Sequence, residues 1–346
     1  MNHPAFSAAR EIAAPNPTYA PTLSLKEIVM PVAADVARID DIFRESTNLE
    51  YPVLRHAVEA IIAAGGKRLR PSILFMAAKF HHYDPEILLP MSAALELLHT
   101  ASLVHDDTID QALIRRGLPT LNSLIDEGTT VLVGDYLFAK SAVLSTMSGK
   151  QRATRIFAES LVTICEGEIA QKLAMHDISF SLERYYSRIY SKTAVLFAAA
   201  GEIGGVLSDA PEDAVQNLRH YGRQLGMAFQ IVDDLLDVQA TAQQLGKPVG
   251  GDIRQGTITL PTMFYLESAG AEARDAVRKV IEGEDRSDKH VNHVIAMINA
   301  SDALEQAYNV AEGFAAEAKA SLAGLPDVPI KRSLIDLAGF VVSRRF

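Results

Sequence analysis

The spacing of apolar residues predicts a chain that is helical almost throughout from Leu25 onward. Apolar side chains recur at three- and four-residue intervals, and alanine, leucine, isoleucine and glutamate dominate, as is typical of helices. The alternating pattern of strands flanked by hairpin turns is absent. The predicted helices cover residues 53–64, 73–80, 88–103, 130–148, 154–175, 182–207, 213–238, 261–268 and 304–322.

The breaks between these helices are short and lie at residues 65–66, 84–85, 117–119, 208–211 and 246–256. No linker rich in proline, glycine and serine divides the chain, and no repeat of about 35 residues indicates a solenoid. We therefore expect one all-helical domain over residues 25–346 with a central core. Residues 1–24 are rich in alanine, proline and serine, which predicts a disordered tail rather than a secretory signal.

Composition and charge exclude several classes of protein. The 346 residues are 48% hydrophobic and 22% charged, an ordinary globular composition. A formal net charge of −10 argues against binding nucleic acid through bulk charge, but not against local clusters that bind phosphate. No uninterrupted apolar stretch reaches about 18 residues, so no membrane span is predicted. The single cysteine, Cys165, excludes an intrachain disulfide and fits a cytoplasmic setting, and we interpret it as a buried structural thiol.

Two clusters of three aspartates lie in apolar sequence. They are the first aspartate cluster (Asp106, Asp107, Asp110) and the second aspartate cluster (Asp233, Asp234, Asp237). In each, the first and last carboxylates are one helical turn apart on the same face. Such anions carry a heavy desolvation cost unless a cation neutralises them, and no lysine or arginine lies within four positions. Mg²⁺, which takes one or two carboxylates together with water and phosphate, is the better neutraliser. A solvated helix edge explains one such cluster, but two are hard to explain that way.

Basic residues accompany these clusters. Gly65 and Gly66 precede Lys67, Arg70 and Pro71 at a predicted helix start, where backbone amides and two cations can hold a diphosphate. Further cations follow each aspartate cluster or lie inside the predicted helix 182–207. They are Arg115, Arg116, Lys192, Lys247 and Arg254. In a chain of net negative charge, this pattern favours sites for anionic groups over solvated basic faces.

Motifs of other catalytic chemistries are absent. The sequence contains no dinucleotide-binding glycine motif after a strand, no Walker loop, no HExxH zinc motif and no GxSxG serine motif. His99 lies two helical turns before Asp106 on roughly the same side. A satisfied core histidine and a residue that contacts substrate are equally open interpretations of it. His81 and His82 lie in a predicted turn and are interpreted as surface residues.

Six stretches of the chain resemble the trans-isoprenyl diphosphate synthases. They are residues 65–71, 99–110, 115–120, 192–193, 226–237 and 246–261, in the order of that family's motifs. The tail, residues 337–346, resembles the long-chain members. The resemblance implies an all-α fold, a single-domain antiparallel helical bundle of the isoprenoid synthase type around a central cavity. It also implies a homodimer.

The resemblance implies a role for each matching residue. Asp106, Asp110 and Asp233 would bind roughly two to three Mg²⁺ ions that bridge to the allylic diphosphate, and Asp107, Asp234 and Asp237 would complete the clusters. The diphosphate of isopentenyl diphosphate would be held by Lys67, Arg70, His99 and Arg116. The allylic diphosphate would be held by Arg115, Lys192, Thr193, Gln230 and Lys247. The catalytic step would depend on Asp106, Asp110, Lys192 and Asp233.

The implied reaction is a condensation that begins with ionisation of the allylic C–O bond. Mg²⁺ and cationic side chains would stabilise the charge that develops on the leaving pyrophosphate. An apolar interior would keep water from the allylic cation, which the alkene of isopentenyl diphosphate attacks. The departing pyrophosphate would take the proton, since no side chain in the sequence stands out as the base.

In the resembled family, the residues four and five positions before the first aspartate line the product tunnel. Here they are Ser102 and Ala101, whose small side chains leave a tunnel open and predict a product of about C30 to C50, of the kind attached to respiratory quinones. Alternatively, Ala101 is only a close helix contact, and the tunnel floor lies elsewhere.

Four other functions stay open. A short-chain farnesyl or geranylgeranyl diphosphate synthase would differ in tunnel depth. A terpene cyclase needs no second diphosphate site, whereas Lys67, Arg70 and Arg116 indicate that this chain has one. A non-catalytic partner subunit would have lost aspartates from one cluster, and a purely structural bundle does not explain the glycine-rich basic turns. We expect no nucleic-acid partner, although a lipid-like product would bring the protein near membranes.

Overall fold

Helices form nearly all the regular structure in the described part of the chain. The computed structural model describes residues 23–46, 51–52, 55, 58–59, 62, 66–115, 117–239 and 249–344. The amino-terminal half contains α1 (Leu25–Val29), a 3₁₀ turn (Met30–Val32), α2 (Ala33–Ala37), α3 (Ile39–Ser46), α4 (Leu69–Ala78), α5 (Pro85–Ile109), α6 (Leu121–Leu124), α7 (Glu127–Thr146) and α8 (Gln151–Leu173). The carboxyl-terminal half contains α9 (Leu182–Ile189), a π-helical segment (Tyr190–Ala194), α10 (Val195–Leu207), α11 (Glu212–Gln239), α12 (Gly251–Arg254), α13 (Leu260–Ser268), α14 (Ala271–Ile281), α15 (Asp288–Asn299), α16 (Ala303–Ser321) and α17 (Pro329–Val342).

The predicted all-α class is confirmed, with differences in detail. The apolar spacing named no helix where α14, α15 and α17 lie. A two-residue antiparallel ladder, β1 (Ile114–Arg115) with β2 (Leu118–Pro119), was not expected from the sequence. Gly117 turns this ladder with a φ of 78°, a left-handed conformation that glycine adopts at little cost. Several predicted features lie outside the described residues: most of the helix at 53–64, Gly65, Arg116, Lys247 and the tail up to residue 22.

Side chains that cap helix starts explain where several of the long helices begin. The Asp84 carboxylate accepts the Glu86 N–H at the start of α5, where Pro85 occupies the first helical position. The Asp126 carboxylate accepts the Thr129 N–H at the start of α7. These caps satisfy amide groups that have no partner within the helix, so they set where α5 and α7 begin.

The centre of the protein is the contact between α10 and α11, and α4, α8 and α16 pack around that pair. A side chain at Gly222 of α11 would collide with the backbone carbonyl of Phe197 in α10. The two helices therefore approach backbone to backbone. Buried apolar side chains from Ile28 in α1 to Val342 in α17 form one continuous cluster.

Helix α5 is buried in this core although it is long and apolar. It has 25 residues, enough by length and composition to cross a membrane, but 78% of its apolar stretch is buried inside the protein. It packs along α7 and also contacts α4. Burial against these helices accounts for its apolar composition.

The interpretation of Cys165 as a buried thiol is wrong for the single chain. Cys165 lies in α8 and is exposed, whereas its neighbour Ile164 takes the buried position. Its helical face also carries Val162, Ile169 and Leu173, all exposed. Cys165 is thus part of an exposed apolar stripe, because successive helical residues point in different directions.

Candidate active site

The first aspartate cluster lies at the carboxyl end of α5. Asp106 and Asp107 are in the last turn, and Asp110 is the C-cap residue. The side chains of Asp106 and Asp107 are only 14% and 10% exposed, whereas Asp110 is exposed. The carboxyl end of a helix carries partial negative charge, so burying carboxylates there is costly unless cations compensate.

Lys192 is the cation that reaches Asp106. Its Nζ atom lies 3.8 Å from the Asp106 carboxylate and 3.0 Å from that of Glu168 in α8. Burial by itself would lower the pKa of Lys192, but the carboxylates of Asp106 and Glu168 outweigh it and raise that pKa. Burial raises the pKa of Asp106 to about 6 even though Lys192 opposes the shift. Because Lys192 is shared by two carboxylates, it does not fully neutralise the charge of Asp106.

Lys192 and Thr193 lie in the π-helical segment that interrupts the predicted helix 182–207. Such segments are rare and are frequently found at functional sites. Gly226 of α11 packs against this segment, since a Cβ there would lie 2.5 Å from the Cα of Ala194. The missing side chain lets α11 approach the segment that carries Lys192 and Thr193.

The second aspartate cluster lies in α11 and is tied to the π-helical segment. The Thr193 hydroxyl donates to Gln230 Oε1, and the Gln230 amide donates to Asp234 Oδ1 over 2.9 Å. The Tyr185 hydroxyl donates to the other Asp234 oxygen over 2.8 Å. Burial raises the pKa of Asp234. Consecutive residues of one segment thus connect to both clusters: Lys192 to Asp106, and Thr193, through Gln230, to Asp234.

Asp233 and Asp237 differ from Asp234 in their partners. Asp233 is half-buried, and its carboxylate lies 3.1 Å from the Arg344 guanidinium, just beyond α17. The Asp237 carboxylate accepts the Asp252 N–H over 3.0 Å, and its backbone carbonyl accepts the Gly250 N–H over 2.8 Å. Asp237 therefore anchors the start of α12 in the described chain.

Arginine and lysine side chains from outside the immediate sequence reach both clusters, so the clusters are partly neutralised without a divalent ion. The Arg115 Nε–H donates to both Asp107 oxygens, over 2.7 and 2.8 Å, and Lys192 and Arg344 serve Asp106 and Asp233. These cations lie beyond the four positions on either side of each cluster. Arg115, predicted at the allylic diphosphate, pairs with Asp107 here.

The basic turn before α4 lies on the same side of the protein as Asp233. The Arg70 guanidinium lies 4.9 Å from the Phe197 ring centre, and the Phe197 and Phe229 rings are 5.3 Å apart. Arg344 lies 4.2 Å from the Phe229 ring and also contacts Asp233. This continuous stack of cations and rings runs from α4 to the second cluster.

The other predicted diphosphate ligands are placed as follows. Lys67 is exposed, with its Nζ atom 6.0 Å from the Phe340 ring centre in α17. His99 is half-buried in α5, where it precedes Val104 by about one and a half turns and Asp106 by about two. Its backbone carbonyl accepts the Ser102 hydroxyl over 2.8 Å. Ser102 is half-buried, whereas Ala101 is fully buried. Arg116 and Lys247 lie outside the described residues.

The donor chemistry of the two clusters fits a hard divalent cation such as Mg²⁺. All six side chains offer carboxylate oxygens, the ligands that Mg²⁺ prefers. Among the described residues, no group of three acidic, histidine or cysteine side chains is placed to hold a metal ion by itself. An ion there would thus rely on one or two carboxylates with substrate phosphate and water, the usual coordination of Mg²⁺ at phosphate sites.

Sequence reasoning missed Glu168, Tyr185 and Arg344. Glu168 contacts Lys192, Tyr185 contacts Asp234, and Arg344 contacts Asp233. None of them belongs to a motif that predicts its contact. The spacing in α8 and α9 indicates which helical faces are buried, but not which residue of another helix each face meets.

Because burial raises the pKa of Asp106 from 3.8 to about 6, the folded metal-free protein binds a proton there more tightly than the unfolded chain. Ionised Asp106 therefore lowers the free energy of unfolding of the metal-free protein, and its protonation between about pH 6 and pH 4 removes that penalty. We expect Asp106→Asn to stabilise metal-free protein at pH 7.5, with an advantage about 1 kcal/mol smaller at pH 5.5. Urea unfolding in chelator at both pH values measures this. An advantage that does not change with pH would contradict it.

An all-helical core with two aspartate clusters connected through one π-helical segment, and a surrounding set of cations, defines the isoprenoid synthase class of folds. Solved structures of that class match the chain over most of its length. A decaprenyl diphosphate synthase from Rhodobacter capsulatus has a TM-score of 0.87 at 39% identity, covering 93% of this chain and 99% of that one. A polyprenyl synthase from Caulobacter crescentus CB15, complexed with calcium and isoprenyl diphosphate, has a TM-score of 0.89 at 34% identity, covering 93% and 98%.

The particular family follows from the sequence comparisons. The family model "Polyprenyl synthetase" matches residues 51–298. A heptaprenyl diphosphate synthase component 2 from Geobacillus stearothermophilus is 37% identical over 324 residues, which cover 94% of this chain and all of the relative. The chain belongs to the polyprenyl synthetase family.

Proposed function

We propose that this protein is a Mg²⁺-dependent trans-prenyltransferase that condenses isopentenyl diphosphate repeatedly onto an allylic diphosphate. The product is a long-chain polyprenyl diphosphate of about C30 to C50, which serves for quinone side chains. The observation that carries the proposal is the connection of Lys192 and Thr193 to both aspartate clusters. A diphosphate held at these two residues would lie between two sets of carboxylates.

The roles proposed for the residues are those that the family resemblance implies. Asp106, Asp110 and Asp233 would hold Mg²⁺, which neutralises charge on the leaving diphosphate when it is bound. Asp107 and Asp234 complete the two clusters. Asp237 is the third member of the second cluster and also anchors the start of α12. The allylic diphosphate is held by Arg115, Lys192, Thr193, Gln230 and Lys247. The diphosphate of isopentenyl diphosphate is held by Lys67, Arg70, His99 and Arg116.

The ion pairs of the substrate-free protein must be exchanged when substrate binds. Arg115 leaves Asp107 to meet the allylic diphosphate, and Lys192 keeps its charge because its pKa is raised. Both arginine and lysine lose little by exchanging a carboxylate for a phosphate oxygen. The cations are therefore already next to the place where negative charge develops in the transition state.

The small residues before Asp106 support a long product. Ala101 and Ser102 add little volume beneath the first cluster, and the heptaprenyl and decaprenyl synthases named above are similar over most of this chain. The apolar interior around α5 keeps water from the allylic cation, and the departing pyrophosphate takes the proton. Each condensation then lengthens the chain by one isoprene unit.

One domain over residues 25–346 is also part of the proposal. The single cluster of buried apolar residues that runs from α1 to α17 supports it. The acidic net charge gives no basis for a nucleic-acid partner. A reducing cytoplasmic setting is consistent with one exposed cysteine and no disulfide among the described residues.

We further propose a homodimer formed by the exposed apolar faces of α7 and α8. These faces carry Leu132 (67% exposed), Val143, Met147, Val162 and Ile169 (62% exposed). Isolated exposed apolar residues are ordinary, but a run along two successive helices indicates an interaction surface. Pairing would also cover Cys165, which lies in the same stripe of α8.

Leu132→Glu is expected to convert the dimer to a monomer, because it places a charge in the middle of the apolar surface. Sedimentation at micromolar protein concentration measures the change. Met30→Glu is the matched control, since Met30 is equally exposed (61%) but lies in the 3₁₀ turn at the amino terminus. A Leu132→Glu protein that remains a dimer would place the interface elsewhere.

The proposed reaction is tested by incubating the protein with labelled isopentenyl diphosphate, farnesyl diphosphate and Mg²⁺ and sizing the products. Incorporation into a product of about C30 to C50 is expected. No incorporation would refute the proposed condensation, and a labelled product of only C20 would favour the short-chain alternative. A relative named as a component of a synthase makes the partner-subunit alternative worth testing. Activity of the purified chain alone decides against it.

A further inference from the structure

Arg68 lies between two proposed diphosphate ligands, yet its own side chain is turned into the protein. Its side chain is only 16% exposed, whereas Lys67 beside it is exposed. Its Nη1 atom donates to Glu96 over 3.1 Å. Its Nη2 atom donates to Asp40 over 3.2 Å and to the Ile62 carbonyl over 3.1 Å. Both Nη atoms of the guanidinium therefore donate to protein acceptors on α3, on α5 and in the chain before α4.

The backbone at Arg68 is also unusual. Its φ of 48° and ψ of 38° place it in the left-handed region, which costs a non-glycine residue about 1 kcal/mol or more. Its carbonyl accepts both the Ser72 N–H, over 3.0 Å, and the Ser72 hydroxyl, over 2.8 Å, in the first turn of α4. The side-chain and carbonyl contacts together hold this conformation against its cost.

The far end of the main contact is on the helix that carries His99. Glu96 is buried, with a side chain 4% exposed, and lies one turn before His99 in α5. On the near side, the left-handed turn at Arg68 separates Lys67 from Arg70, which lies in the first turn of α4 over the Phe197 ring. The Arg68–Glu96 pair therefore joins the turn that carries Lys67 and Arg70 to the helix that carries His99.

We propose that Arg68, anchored by Glu96, is a positioning residue that sets the three-sided site for the diphosphate of isopentenyl diphosphate. This inference rests on the proposed function, because Lys67, Arg70 and His99 are three of the four ligands proposed for that diphosphate. Arg68 itself touches no substrate. It acts by fixing the backbone turn between two ligands and by holding that turn at a set distance from the third.

The contact geometry requires arginine rather than lysine. The two Nη atoms of one planar guanidinium serve Glu96 on one side and Asp40 with the Ile62 carbonyl on the other. A lysine at position 68 keeps the charge but has a single nitrogen, which cannot reach both sets of acceptors. Loss of either set would let the turn move, and a displacement of about 1 Å can cost as much as a hundredfold in rate.

The test compares Arg68→Lys and Glu96→Gln with wild type in the full-length protein. Both variants are expected to raise the KM and the calorimetric Kd for isopentenyl diphosphate about tenfold, because the ligands lose their relative placement. The KM for the allylic diphosphate is expected to change by less than about twofold, since its proposed ligands lie on other elements. A purely structural role would lower the Tm without this separation of the two substrates.

Glu202→Gln is the matched control. Glu202 is also a largely buried glutamate paired with arginines, Arg152 at 3.8 Å and Arg219 at 3.4 Å, but it lies in α10 away from the basic turn. It is expected to leave the Kd for isopentenyl diphosphate unchanged. An equal rise in that Kd for Glu202→Gln would reduce the effect to a general consequence of removing a buried carboxylate and overturn the inference.

Asp40→Asn keeps the test decisive if the other variants fail to fold. Asp40 is 54% exposed, so the fold tolerates its substitution, and asparagine removes the charge from one of the three acceptors of Arg68 and so weakens that contact. We expect a rise of about threefold in the Kd for isopentenyl diphosphate. If the wild type is active and every folded variant binds isopentenyl diphosphate with unchanged affinity, the positioning role is overturned but the proposed function is not. A wild type that condenses nothing would instead refute the proposed function.

Discussion

Asp106→Asn and Asp233→Asn are each expected to lower turnover by about a thousandfold or more, the largest effect predicted for any single change. Asparagine keeps the size of the side chain and one oxygen acceptor but removes the negative charge. At Asp106, burial raises the pKa although Lys192 opposes the shift, so a metal ion is needed to favour the charged form. At Asp233 the Arg344 guanidinium lies 3.1 Å away, and a metal ion would displace it.

The measurement is initial-rate incorporation of labelled isopentenyl diphosphate at saturating Mg²⁺. Asp213→Asn is the control, because Asp213 is an exposed aspartate in the first turn of α11, the helix that carries Asp233. That variant should keep turnover within about twofold and lose only a few tenths of a kcal/mol of helix-dipole stabilisation. Turnover within tenfold of wild type for Asp106→Asn would show that the first cluster does not hold the catalytic metal.

Turnover and stability should move in opposite directions for Asp106→Asn. The substitution is expected to abolish activity. It is also expected to stabilise the metal-free fold, because it removes a buried carboxylate whose charge the neighbouring cations do not fully compensate. A loss of activity caused by unfolding would show the reverse, with lower stability at pH 7.5. The pair of measurements therefore separates a loss of chemistry from a loss of fold.

Ser102→Phe is expected to shorten the product from about C30–C50 to about C15–C20 while condensation continues. A ring at this position would fill space one turn before Asp106, where the growing chain is proposed to pass. The structure makes Ser102 a better probe than Ala101, because Ser102 is half-buried and Ala101 is fully buried. Phenylalanine at Ala101 would overpack the core at a cost of about 1–3 kcal/mol and so confuse product length with stability.

Chromatographic sizing of labelled products, together with total label incorporated, measures this effect. Ser102→Ala is the matched control, since it removes only the hydroxyl that donates to the His99 carbonyl. It should leave product length unchanged. An unchanged product for Ser102→Phe, with folding intact, would favour the alternative in which the tunnel floor lies elsewhere and Ala101 is only a helix contact.

The extent of successful sequence prediction differs between residues. Apolar spacing located α5 and α11, and the aspartates fall on those helices as expected. The π-helical segment at Tyr190–Ala194 was not predicted, because one extra residue in a turn leaves the apolar spacing of a buried helix almost unchanged. The burial of Cys165 was predicted wrongly, because a lone cysteine gives no indication of which helical face it occupies.

The sequence by itself determined the helical class, the family and the identity of the residues that could carry the chemistry. These depend on residue type and on spacing within one element, which are local properties. Only the tertiary structure decided which cation meets which carboxylate: Lys192 with Asp106 and Glu168, Arg344 with Asp233, and Arg68 with Glu96. Those pairings join residues of different elements, and the packing of helix against helix, rather than any local pattern, brings them together.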